Sequence, residues 1–218
     1  LQPEKQIDEI YVYHLTRRLN DSIEDKSSDN LKSLLLKESP ISSFLRQYGI
    51  TFIEKDGHPV IVFNDNEISL EDTFESDVCY LRRRLGYNTG REDYCFNGFA
   101  LRDLLMKNSY TRQLFDGPEF LEVLSRYLSV GGLKKRYCEN SKYYCFTYKM
   151  TIEEIIFDNR EQLSYEEKID YLLVQIAMRI MSKYQYDHDN PIIRVADDAS
   201  IPENEIIDVE EITIDMIE

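Results

Sequence analysis

Residues 9–21, EIYVYHLTRRLND, set a histidine, a threonine and two arginines within five positions: His14, Thr16, Arg17 and Arg18. In an extended chain, side chains two apart project from the same face, so His14 and Thr16 share one. Imidazole and hydroxyl together offer donors and acceptors, enough to hold a ribose hydroxyl between them. The guanidinium forks of Arg17 and Arg18 suit bidentate pairing with a pyrophosphate. A plainer alternative stands beside this one: a core histidine whose ring nitrogens bond neighbouring backbone, followed by two solvated charges at a strand end.

Two further basic clusters stand out, Arg82-Arg83-Arg84 and Lys134-Lys135-Arg136. On a helix, three successive side chains fan over about 200°, which favours pairing of the first cluster with the protein's own carboxylates. The second lies near Tyr137, Tyr143 and Tyr144, the cation and aromatic interleaving that stacks single-stranded nucleic acid. FNGF (96–99) reads as a turn into a helix, or as an Asn-Gly bend lining a pocket. No phosphate-binding glycine loop, nucleophile elbow or HExxH pattern occurs. Four cysteines (Cys79, Cys95, Cys138, Cys145) without a CxxC pair, and three histidines, indicate no metal site and no disulfide framework.

The elements that must position these residues follow from periodicity and caps. IYVYHLT is a strand burying Ile10, Val12 and His14. Ser39-Pro40 opens a helix whose Ile41, Phe44, Leu45 and Tyr48 share a face and which Gly49 stops. ITFIEKDGHPVIVF (50–63) is a hairpin turning at Asp56-Gly57. VCYLRRRLG (78–86), GFALRDLLMKN and GPEFLEVLSRYLSVGG read as helices, KYYCFTYKM (142–150) as a buried strand. Thr151…Glu154 and Ser164…Glu167 fit capping boxes, the second ahead of a long amphipathic helix over 165–184. PIIRV (191–195) and EIIDVEEITID (205–215) are strand-like. The order predicts one α+β domain over 1–218 with a mixed or antiparallel sheet, a β-hairpin, a helical insertion at 94–132 and an acidic strand segment at 187–218.

The chain's 218 residues, 42% hydrophobic with 16 Tyr and 10 Phe, suffice for such a core. A net charge of −15 opposes a broad nucleic-acid footprint, since polyanion binding rests on clustered cations. That charge is uneven: 11 acidic residues against Arg194 alone from Gln185 onward leave only −5 on the preceding 184 residues. An anion site belongs there. YLLVQIAMRIM (171–181), broken by Gln175 and Arg179, falls short of the ~20 apolar residues of a membrane span. With no signal pattern in LQPEKQIDE and no disulfide framework, the expectation is a cytoplasmic protein without membrane contact.

IYVYHLT with DNLKSLL about fifteen residues later, together with YYCFTYKMTIEEIIFD and IPENEIIDVEEI, resembles bacterial ADP-ribosyltransferase-like domains. The resemblance covers about a third of the chain. It implies NAD as co-substrate, His14 on an NAD ribose, and Tyr144 or Tyr148 as the central-strand tyrosine. Glu203 or Glu205 would then stabilise the cation formed as nicotinamide leaves. The family's Ser-Thr-Ser run is missing. The resemblance further implies a protein or nucleic-acid target in a toxin or defence setting. The other expectation is a non-catalytic acidic domain that captures a basic protein partner or mimics nucleic acid, an attraction that salt would screen.

Overall fold

The computed structural model describes residues 7–20, 28–71, 74–87, 92–103, 105–158, 160–181 and 190–217. Its backbone is one long antiparallel pair. Strand β1 (Glu9–Leu19) pairs with β6 (Ser141–Thr151) over its whole length, from Glu9↔Thr151 to Leu19↔Ser141. The strand therefore continues past His14 and Thr16 and carries both arginines inside it. With β5 (Asn97–Phe99), β7 (Ile156–Phe157), β8 (Ile192–Arg194) and β9 (Ile206–Glu211) these strands form one sheet, ordered β7-β8-β5-β1-β6-β9. Every neighbouring pair is antiparallel.

Alternation along the strands gives the sheet two apolar faces. On one, Val12, Tyr144, Phe146, Tyr148 and Ile193 pack with Ile169 and Leu172 of α7 (Tyr165–Met181). On the other, Leu15, Phe99, Tyr143 and Cys145 meet Leu105, Leu114 and Phe115, the last two from α4 (Ser109–Phe115). Between β1 and β6 the chain builds a second core. There α1 (Leu31–Leu36), α2 (Pro40–Arg46), α3 (Ser76–Arg84), α5 (Glu119–Tyr127) and α6 (Leu133–Glu139) pack with the small sheet β2-β3-β4 (Ile50–Lys55, His58–Phe63, Asn66–Glu67).

Local signals produced the expected elements where neighbours did not compete. Ser39 caps α2 in a reciprocal box with Ser42, and Pro40 is its first residue. The β2–β3 hairpin turns through Asp56 (φ 52°) and Gly57 (φ 83°), the left-handed pair of a tight turn. Ser164 and Glu167 form their box at the start of α7. Thr151 and Glu154 also bond reciprocally, yet they close a turn and no helix, because Ile156–Phe157 two residues on joins the sheet as β7, paired with Ile193 and Arg194 of β8. The helix expected over 98–108 is likewise absent. Asn97–Phe99 joins the sheet as β5, and Asn190 grips Leu101 through both backbone groups, leaving a 3-10 turn at Leu105–Lys107. The segment 94–132 is thus part strand, and the excursion between β1 and β6 is longer than that segment.

Arg17 ties these layers together. Its guanidinium donates to Phe115 O at 2.7 Å, Cys138 O at 3.1 Å, and Ser141 O and Oγ at 3.0 Å, joining the ends of α4 and α6 to the sheet. Removing it strands several part-buried carbonyls, each costing about 1–3 kcal/mol unsatisfied. Arg17→Ala should lower the unfolding free energy by about 2–4 kcal/mol in urea titration. Arg17→Lys should recover little of it, since one ammonium cannot span the fork.

Candidate functional site

β1 has eleven residues of partner on one side and a single rung on the other, Tyr13↔Phe99. The close approach at that rung needs Gly98: a Cβ there would lie 2.6 Å from Val12 Cγ1 and 3.1 Å from Tyr13 O. Beyond it the strands part. Tyr94 is drawn away by Leu31 N–H donating to its carbonyl at 2.9 Å, and its own hydroxyl donates to Leu85 O at 2.7 Å. The next rung, Leu15 with Asn97, is not made. Instead His14 Nδ1 sits 2.6 Å from Asn97 O and, facing a carbonyl, is the protonated nitrogen. The histidine caps the acceptor that the ladder would have used, and its Nε2 is left as an acceptor.

The bonds bracketing the β1–β6 ladder, Asn20 N to Asn140 O and Ile152 N to Asp8 O, show that even-numbered β1 residues bond to β6. Odd-numbered ones direct their backbone groups the other way, into the split. Arg17 O accepts there from Tyr137 Oη at 3.0 Å, and the Leu15 N–H and C=O face the opening.

The split opens into a cleft of about 800 Å³ with His14, Thr16 and Arg18 on one wall and Asp93–Phe99 on the other. A smaller chamber of about 360 Å³ adjoins it and is bordered by all of His14–Leu19. Six consecutive strand residues can border one cavity only if it meets the strand edge-on, since alternate side chains point to opposite faces. Arg18, Arg83 and Arg84 face Asp29, Asp93 and Asp158 around the cleft, so charge is balanced there within a chain of net −15. Arg84 holds Asp93 at 2.8 Å. Arg18 donates to Ser28 Oγ at 3.0 Å, stands 5.2 Å over the Phe146 ring, and reaches Tyr148 through a short Ser28–Tyr148 hydroxyl contact.

His14 rests on Phe96, ring centroids 4.3 Å apart. Burial pushes its imidazole down to about 4, against the smaller upward pull of the Asn97 bond, with the Arg18 cation adding to the depression. Near neutral pH it is an uncharged acceptor.

Of the residues singled out in the sequence, His14 and Thr16 share the cleft wall. Arg18, on the same face, joins them, whereas Arg17 lies on the opposite face with its fork turned to carbonyls. Tyr144 and Tyr148 are buried on the His14 face and line neither cavity; Tyr148 packs edge-on against Phe96. Glu203 and Glu205 form a surface turn before β9, two strands away from β1, and border neither cavity. Phe96, Asn97, Gly98 and Phe99 do line the pocket, as a strand and its approach and not as a turn into a helix. Asp29 and Asp93 carried no sequence signal, because only the return of distant segments brings them to β1. Lys134, Lys135 and Arg136 sit on α6, where Lys134 pairs with Glu122 at 2.6 Å. Among the described residues no group of side chains could hold a metal ion, and no helix is long and apolar enough to cross a membrane.

No protein-family model, curated protein or solved structure matches this chain.

A histidine depressed to about 4 makes the unfolded chain, with an ordinary value near 6.5, bind the extra proton first. Its contribution to stability is complete above pH 6.5 and is lost progressively as pH falls toward 4. His14→Gln, which retains a donor for Asn97 O, should flatten that part of the stability–pH curve. An NMR titration of His14 should show no protonation between pH 6 and 8.

Proposed function

We propose that this protein binds NAD in the split between β1 and residues 93–99 and acts as an ADP-ribosyltransferase-like enzyme on a protein or nucleic-acid target. The observation that carries the reading is the interrupted ladder, with His14 at its vertex and an 800 Å³ cleft beyond, a volume in the range of ligand sites.

In this reading Nε2 of His14 and the Thr16 hydroxyl hold a ribose. Arg18, not Arg17, meets the pyrophosphate, and the outward N–H and C=O of Leu15 match the acceptor and donors of a carboxamide. The glycosidic bond breaks with its electron pair leaving on nicotinamide. A carboxylate near the developing ribose cation stabilises it, and the acceptor nucleophile then bonds to that carbon as its proton passes to solvent. Asp29 borders both the cleft and the chamber and takes the part that the family resemblance gives to Glu203 and Glu205. A basic-partner role for the acidic tail has less support: Glu210 pairs with Arg102, and Glu211 with Lys142 at 2.8 Å.

Calorimetry with NAD should give saturable binding that weakens about tenfold or more, ~1.4 kcal/mol, in His14→Ala and in Arg18→Ala. Glu203→Gln and Glu205→Gln should bind as the unaltered protein does. Nicotinamide release should fall in Asp29→Asn with binding kept. Heat that is absent, or indifferent to His14 and Arg18, overturns the reading.

A further inference from the structure

The smaller chamber has a chemistry of its own. Among others it shares His14, Thr16, Arg18, Asp29, Leu31, Leu34 and Leu114 with the cleft, so a group held in it borders the proposed reaction zone. The walls it does not share come from Arg17 and Leu19 of β1, Tyr143 of β6 and the helical core. There α1 and α2 bury Leu35, Phe44 and Leu45 completely or nearly so, yet leave Leu31, Leu34 and Ile41 only half-buried. Leu114 and Pro118 are half-buried on the facing side. Five apolar residues from three separate segments thus keep accessible surface and converge on one partly open space, and three of them (Leu31, Leu34 and Leu114) reach the cleft as well. Scattered apolar exposure is ordinary in proteins, whereas convergence of this kind is the mark of a ligand pocket.

Of its five charged neighbours Arg17, Arg18, Glu38 and Arg84 are already engaged, and Asp29 is the carboxylate assigned to the reaction zone. Glu38 at the rim is held by Arg46 at 2.9 Å, and the fork of Arg17 is turned to carbonyls. At about 360 Å³ the space exceeds one aromatic ring and suits a bicyclic group.

We infer that the 360 Å³ chamber beside His14 is the acceptor subsite, and that it takes an apolar, ring-sized group of the molecule to be modified. The role as acceptor subsite rests on the NAD reading of the adjoining cleft; the apolar binding site itself does not.

The test uses 2-naphthol, a bicyclic ring bearing one hydroxyl, as a fluorescent probe of the full chain with and without saturating NAD. Ile41 borders the chamber and not the cleft, half-buried at the start of α2 and packed at the margin of the helical core. Ile41→Trp fills the chamber, and Ile41→Asp sets a charge in its apolar wall. Circular dichroism and urea midpoints verify that both variants fold. The expected result is one saturable 2-naphthol site, retained when NAD is bound, weakened about tenfold or more in both variants while NAD affinity stays unchanged. No saturable binding, binding indifferent to both substitutions, or displacement by NAD overturns the inference. If 2-naphthol behaves as expected and NAD does not bind, the apolar site stands and the nucleotide reading falls. If NAD binds and 2-naphthol does not, the nucleotide reading stands and the apolar site falls.

Discussion

The structure hangs on the unequal pairing of β1. One edge is zipped to β6 along its whole length, and the other touches β5 at one rung. A ladder of that length, buried on both faces, fixes the register of every strand outward from it, because a one-residue slip would turn each apolar side chain to the wrong face. The opposite edge is where the chain touches the sheet midway through its long excursion through the helical core. It returns only as far as Gly98 can approach Val12, and there the sheet parts.

The cleft is therefore a consequence of two cores meeting at a sheet edge. The sheet's own layers hold β1 from one side, and the helical core draws residues 93–96 away from the other through Leu31 and Leu85. Surface ion pairs contribute little to this: several of the pairs here are well exposed, and such pairs are worth about 0–1 kcal/mol. Apolar burial and the guanidinium of Arg17, seated on helix-end carbonyls, set the geometry.

His14 is a core histidine in its bonding and a cleft residue in its position. Its Nδ1 bonds backbone, as a core histidine's would, and the same bond seals the ladder's last acceptor and points a neutral ring at the cleft. The adjacent arginines part company for an equally simple reason. Successive strand residues face opposite ways, so Arg17 becomes a structural tie and Arg18 a wall of the site.

Much of this was legible from local chemistry. The caps at Ser39 and Ser164, the Asp56-Gly57 turn, the aromatic strand β6 and the pairing of His14 with Thr16 on one face depend on residues within a few positions of each other, so the sequence by itself determined them. It also determined the α+β class, through the order of periodic segments. Only the tertiary structure decided that Asn97–Phe99 is a strand, that Thr151 and Glu154 cap no helix, and that Asp29 and Arg84 face His14 while Glu203 and Glu205 do not. Each of those outcomes is set by a partner from a distant part of the chain, Asn190, strand β8 or the returning helical core. Local propensities are worth tenths of a kcal/mol to about one, less than the backbone bonds and burial such partners supply.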